Sequence, residues 1–226
     1  MIRNTLLVAF LVLVLSASGI SQSYIGFKGG VNRSRSAFAF NIETELITAR
    51  RDFDGFYFSF PLEVHLNDFI NFLPELVLTS EGAVLSVQTK EEERTYNNTI
   101  LYAELPLLGK LKLLKNKDYE LGLIAGIVPA YALDVQSYFF TLSDLNKSTD
   151  IPIDFEDAGL SRFDLSLSIG VNTEKEIAKD WKVVLDLRYN MGILDLEKHT
   201  TLTNTTESVS LTLGIMVPLK KKNRTH

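Results

Sequence analysis

The sequence predicts an all-β chain, an eight-stranded antiparallel up-and-down transmembrane β-barrel that follows an export signal. Three observations carry this reading. The first is an alternation of period two, cleanest in the last strand. There Val209, Leu211, Leu213, Ile215, Val217 and Leu219 fall on one face and Ser210, Thr212, Gly214, Met216 and Pro218 on the other. Such a period gives one apolar and one polar face. Repeated around a closed sheet, it puts lipid outside and a polar lumen inside. The second is that short and long connections alternate along the chain. The third is the N-terminus, where Arg3 precedes the apolar run Leu6 to Leu15 and the small-residue stretch Ser16 to Ser21. That is the layout of a secretory signal peptide, with an apolar run too short for a spanning helix.

Residues 1–21 are therefore set aside as a cleaved signal, 22–219 as the barrel and 220–226 as a basic tail. The first strand covers about Tyr24 to Arg33, with Ile25, Phe27, Gly29 and Val31 outward. The second runs from Gly55 to Leu66, with Phe56, Phe58, Phe60, Leu62, Val64 and Leu66 outward. Asn67-Asp68 makes the turn, as these residues favour. The third runs from Phe69 to about Val87 and the fourth from Thr99 to about Leu113, with Leu101, Ala103, Leu105 and Leu107 outward. Lys115 to Asp118 turns the chain into the fifth strand, Tyr119 to Val135. The sixth covers Ser161 to Thr173, with Phe163, Leu165, Leu167, Ile169 and Val171 outward, and a polar turn ends near Asp180. The seventh is Trp181 to Asn190 and the eighth Ser208 to Leu219. Each segment reaches the ~9–11 residues that a tilted strand needs to cross a bilayer. Pro61, Pro74 and Pro106 fall inside strands and predict bulges or kinks, because proline cannot donate to the ladder.

The long connections are 34–54, 88–98, 136–160 and 191–207. Long loops on one side and short turns on the other are the outer-membrane pattern, with both termini on the periplasmic, short-turn side. Tyr24, Phe69, Phe72, Tyr119 and Trp181 are expected near the periplasmic rim, and Tyr57, Tyr102, Tyr131, Phe163 and Tyr189 near the outer rim. Amphipathic rings prefer the headgroup level.

Composition narrows the function. The chain has no cysteine, which excludes a disulfide scaffold in an exported protein. Its net charge is −5, and removing Arg3 with the signal makes the mature chain about −6. That argues against a nucleic-acid partner, which wants a basic face. With no cysteine and only His65, His199 and His226, a transition-metal site or other cofactor is not expected. The same scarcity leaves a hydrolase without a convincing Ser–His–acid arrangement.

The alternation places Lys28, Glu63, His65, Glu75, Glu104, Lys110, Asp164, Asp186 and Arg188 inward. Side chains nearly fill the interior of an eight-stranded barrel, so charges there must pair. The expectation is a lumen network in which Glu75 and Glu104, on adjacent strands, face Lys110 or Arg188. The loop after the fifth strand is acidic at Asp144, Asp150, Asp154, Glu156 and Asp157. Asp150, Asp154, Glu156 and Asp157 form a weak candidate for a hard cation. Without the spacing of a calcium loop, the stretch reads first as a solvated charge run.

Several segments, in order, resemble one family. They are Gly26 to Asn32, Leu73-Pro74-Glu75-Leu76, Tyr102 to Lys110, Ala125 to Pro129 and Leu187 to Ile193. Together they are similar to the outer-membrane β-barrel domain family common in Bacteroidetes, porin-like or PorT-like. The resemblance implies an eight-stranded barrel in a Gram-negative outer membrane and transfers no catalytic motif. Such barrels usually end on an aromatic residue that helps the insertion machinery, whereas here Leu219 is followed by Lys220-Lys221-Lys222-Asn223-Arg224-Thr225-His226. The reading is a monomeric, non-enzymatic barrel in outer-membrane lipid, structural or binding a protein partner through its loops or periplasmic face. The alternatives are a narrow porin-like channel, a type IX secretion role implied by the PorT-like resemblance, and a soluble lipocalin-like barrel. The lipocalin would place its apolar face inside.

Overall fold

The computed structural model describes residues 23–36, 46–88, 93–116, 118–141, 144–151, 161–178, 180–194 and 205–219. The signal segment 1–21 and the tail 220–226 lie outside these residues. The described chain forms β1 (Tyr24–Ser36), β2 (Leu46–His65), β3 (Ile70–Gln88), β4 (Glu93–Glu104), β5 (Leu107–Lys115), β6 (Tyr119–Thr141), β7 (Asp144–Ile151), β8 (Phe163–Ala178), β9 (Trp181–Gly192) and β10 (Thr206–Pro218). All pairings are antiparallel. β10 returns to β1 and pairs with it along all thirteen residues, from Tyr24↔Pro218 to Ser36↔Thr206. β4 and β5 lie end to end between β3 and β6 and act as one stave. The result is a closed ring of eight staves, with β7 paired only to β6.

The faces sort as the alternation requires. Phe27, Val31, Phe58, Phe60, Leu167, Ile169, Leu187, Val209, Leu211, Leu213 and Ile215 are exposed on the outside. Lys28, Asn32, Ser59, Glu75, Asn172, Asp186, Ser210 and Thr212 are buried inside. This is the inverse of a lipocalin, and an apolar belt of this extent is not stable in water. The belt has an edge. On β1 the outward series changes after Val31 to Arg33 and Arg35, which pair with Asp54 and Asp52 of β2 at 2.6 and 2.8 Å. Toward the short-turn end, Leu62 and Val64 keep outward parity but are buried, packed with Ile25, Phe72 and Leu219.

The short turns are built locally. The Asn67 side chain accepts from the backbone N–H groups of Phe69 and Ile70 at 2.9 and 2.8 Å, which closes the β2–β3 turn. Asp180 takes a φ of 69° in the β8–β9 turn, a left-handed geometry that Asp tolerates.

Several expectations need correction. The strands run further past the belt than the alternation suggested. β2 begins at Leu46, β4 at Glu93, and β6 continues to Thr141. The segment 136–160 is not all loop, because β7 folds back on β6 from Asp144 to Ile151. The sequence of these extensions has no strict apolar alternation, so the period that marks the belt does not mark them. Tyr57 and Tyr102 do not join an outer girdle. Both are inward and 2% exposed, on the parity opposite Phe56 and Leu101. Pro106 does break its stave between β4 and β5, but the register is the same on both sides. The register also continues unshifted past Pro61 and Pro74. The bulges occur elsewhere, for example between Lys112 and Leu114 opposite Gly122 and Leu121.

Leu213 lies mid-strand on the lipid face and is 59% exposed. Leu213→Arg is expected to destabilise the barrel by about 2–4 kcal/mol if it sits at the bilayer midplane, measured by urea unfolding in lipid vesicles against Leu213→Ala.

Candidate functional site

The lumen carries the concentrated chemistry of this chain, in tiers stacked along the barrel axis. At the short-turn end, Lys110 reaches Glu63 at 3.4 Å, Glu120 at 2.6 Å and Glu174 more closely. Lys182 reaches Glu63 at 3.4 Å and Glu174 at 2.7 Å, and its ammonium lies 4.0 Å from the centre of the Tyr24 ring. Asn71 donates to Glu63. Beside this group His65 Nδ1 lies 3.1 Å from Asn71 Oδ1 and 3.0 Å from Lys112 Nζ. Glu63, Glu120 and Glu174 have the convergence that a metal would use, but the Lys110 ammonium occupies the centre of the trio.

The middle tier is a compact knot. Lys28 pairs with Glu75 and Asp186, each at 2.6 Å. Arg188 holds Glu75 through both terminal nitrogens, at 2.6 and 3.0 Å, and Asp186 at 2.5 Å. Asn172 donates to Asp186 at 2.5 Å and Arg188 donates to the Tyr57 hydroxyl at 3.3 Å. Two cations face two carboxylates, and all four side chains are 2% exposed or less. The bidentate Arg–carboxylate pair is the strongest geometry available to such groups.

The cations are seated by glycines on neighbouring strands. A Cβ on Gly214 would stand 2.4 Å from Lys28 Cγ and 2.3 Å from the Phe27 carbonyl oxygen. One on Gly170 would meet Arg188 Cγ at 3.1 Å, and one on Gly122 would meet Lys110 Cγ at 3.0 Å. Each long stem therefore crosses an inward position where the neighbouring strand has no side chain.

The tier toward the long-loop end has a different balance. Glu81, Glu104 and Asp164 are all inward and buried. Asn32 donates to Glu81 at 3.0 Å and to the Thr79 hydroxyl at 3.3 Å. Asp164 accepts from the Leu165 backbone N–H at 2.7 Å. Across the sheet, Ala130 is the cross-strand partner of both Glu104 and Asp164, so only a methyl group stands between the two acids.

The structure thus brings Lys28, Glu75, Asp186 and Arg188 into one group and Glu63 and Lys110 into another. It separates pairs that the alternation alone left open. Lys110 does not face Glu75 or Glu104, because it enters the lumen nearer the short turns. Glu104 shows no hydrogen bond to Arg188, which is committed to Glu75 and Asp186. Glu120, Glu174 and Lys182 were missed at the strand ends, although their parity matches Ile124, Asn172 and Asp186. Of the loop candidates, Asp154, Glu156 and Asp157 lie outside the described residues, and for Asp150 only the backbone, in β7, is described. His199 and His226 also lie outside them.

Residues 17–220 match the family model described as outer membrane protein beta-barrel domain. No curated protein matches the chain. Among solved structures, Ail of Yersinia pestis is similar with 11% identity and a TM-score of 0.40, over 87% of this chain and 99% of that one. OprG of Pseudomonas aeruginosa aligns with 10% identity and a TM-score of 0.47, over 88% and 97%. The outer membrane protease OmpT of Escherichia coli aligns with 14% identity and a TM-score of 0.44, over 88% and 97%.

Glu75 and Gly214 test the middle tier. Glu75→Ala leaves Lys28 and Arg188 with surplus buried charge and is expected to cost roughly 3–5 kcal/mol. Gly214→Ala should also destabilise, because its Cβ meets backbone at 2.3 Å. Urea unfolding of the refolded proteins in vesicles measures both, and a wild-type midpoint in either would contradict the packing described here.

Proposed function

Because the chain belongs to the outer membrane protein beta-barrel domain family and resides in the bacterial outer membrane, we propose that it is a closed-lumen, non-enzymatic barrel. It acts through what its long-loop end presents outside the cell, as an envelope component or by binding a protein partner, and it works as a monomer. The observation that carries this reading is the middle knot of Lys28, Glu75, Asp186 and Arg188. The knot crosses the lumen from β1 to β3 and β9, with no side chain in it more than 2% exposed. A water path through the barrel would have to break several charge-assisted hydrogen bonds at once, which argues against a porin-like channel.

The non-enzymatic part rests on the sequence, in which three histidines and no cysteine offer a hydrolase no convincing Ser–His–acid arrangement. Among the described residues His65 is the only histidine, and its contacts are Asn71 and Lys112 in the lumen near the short turns. The run of PorT-like segments from Gly26 to Ile193 supports a second reading, a Bacteroidetes envelope barrel associated with type IX secretion. Co-purification of secretion components with the intact barrel would test it.

Planar bilayer recording tests the closed lumen. The wild type is expected to give no discrete conductance steps. Replacing Lys28, Glu75, Asp186 and Arg188 together by alanine removes the knot without leaving net charge and should produce steps. The compact, heat-modifiable band on SDS gels verifies that each protein is folded. Steady conductance from the wild type would overturn the closed-lumen reading in favour of a channel.

A further inference from the structure

We propose that the basic segment Lys220-Lys221-Lys222-Asn223-Arg224 binds the anionic phospholipid headgroups of the leaflet around the short-turn end of the barrel. The barrel itself fixes where this segment begins. Leu219 donates its backbone N–H to the Ser23 carbonyl at 2.8 Å. Its side chain packs with Ile25, Leu62, Val64 and Phe72, which have outward parity at the lower edge of the belt. The basic segment therefore starts from the outer wall and not from the lumen, on the short-turn side that faces the periplasm.

Lipid reaches that level. Leu66, Phe69, Leu114 and Ile177 lie in or beside the short turns and are 60%, 69%, 66% and 51% exposed. So apolar a rim is kept from water by the bilayer. Trp181 and Tyr119 are exposed at the same rim, with the amphipathic rings that prefer the headgroup layer. Lys175 Nζ lies 5.0 Å from the centre of the Tyr119 ring, so an ammonium already stands at this level. An extended chain gains at most about 3.6 Å per residue, so Lys220, Lys221 and Lys222 start within roughly 11 Å of Leu219 however the chain runs. That is close to the Debye length of about 8 Å at physiological ionic strength, so the lysines feel the charge of the leaflet. Residues 220–226 include four lysines and arginines and no acid. At the outer rim, by contrast, Arg33 and Arg35 are matched by Asp54 and Asp52. Each Lys or Arg held near an anionic leaflet strengthens binding by roughly fivefold. Attachment on the lipid-facing wall favours this surface over an acidic protein.

The chain has no cysteine, so Thr225→Cys carries one fluorophore beside the basic segment. The full barrel is refolded into nanodiscs of phosphatidylcholine alone and of phosphatidylcholine mixed with phosphatidylglycerol. Acrylamide quenching is the readout, because a neutral quencher does not respond to surface charge. The fluorophore is expected to be protected in the anionic nanodisc and exposed in the neutral one. About 1 M salt, which shortens the Debye length to about 3 Å, should abolish the protection. Lys220→Gln/Lys221→Gln/Lys222→Gln/Arg224→Gln should abolish it as well, with the heat-modifiable band verifying folding. The lipid comparison needs no substitution beyond the label, so the test stands even if that variant does not fold. Equal protection in both lipids would overturn the proposal. If salt removed that protection, the segment would belong to the acids of its own rim, Asp68, Asp118 and Asp180. If salt did not, apolar contact would hold it. Exposure in both lipids would also overturn the proposal and turn the search to an acidic protein. None of these results bears on the conductance test of the closed lumen.

Discussion

The closure of β10 onto β1 is the constraint on which the rest of this molecule depends. A bilayer offers no water to an unpaired strand edge, so a spanning sheet must satisfy every backbone group internally. Here all thirteen residues of β1 take a partner in β10, and β4 with β5 completes the one stave that Pro106 interrupts. Closure at eight staves fixes the radius, and that radius leaves an interior that side chains nearly fill. Polar residues on the inner face are then not free to be solvated one by one. They have to satisfy one another, and the tiers of the lumen are the form that this requirement takes.

The glycines show how the requirement reaches the sequence. A lysine or arginine stem crossing a narrow lumen needs somewhere to lie. In this barrel Lys28, Lys110 and Arg188 each lie against an inward glycine of an adjacent strand, Gly214, Gly122 and Gly170. Glycine weakens a strand by itself. At these positions that loss is offset by the buried pairing it permits, where a bidentate guanidinium and a lysine ammonium neutralise Glu75 and Asp186. Outside the belt the charges behave differently. Arg33 with Asp54 is a pair of exposed side chains, 62% and 68% accessible, and an exposed pair of this kind contributes little. It marks where the lipid ends more than it holds the barrel together.

The period-two pattern made the fold legible because the bilayer enforces it residue by residue. Val209, Leu211, Leu213 and Ile215 had to be apolar, and so the last strand could be read directly. The same rule told inward from outward for Lys28, Glu75, Asp186 and Arg188. It stopped being informative where the lipid stops. The extension of β2 back to Leu46 and the β7 strand have no period-two hydropathy in the sequence, so nothing there distinguishes them from loops. Partner choice inside the lumen was also not legible, because parity gives the face but not the height. Height depends on strand tilt and register, which place Lys110 beside Glu120 and Glu174 and leave Arg188 to Glu75. Tyr57 and Tyr102 illustrate a related failure. Aromatic residues near a strand end suggest a girdle, but their parity with Ser59 and Glu104 places them inside.

The described ion pairs of the lumen are not spread evenly along its axis. Below the knot, acids and lysines are mixed, and the Lys110 ammonium takes the position that a metal would need between Glu63, Glu120 and Glu174. Above it, the acids stand with Asn32, Ser34 and Ser208 on the inward face of β1 and β10. A chain selected only to fill its lumen could have distributed its cations evenly. Among the described residues, the buried lysines and arginine lie in the short-turn half and the knot. Toward the long loops the described inward face carries Glu81, Glu104 and Asp164. The ion pairs of the knot and the short-turn tier are made by inward side chains of the staves, so they belong to the barrel itself.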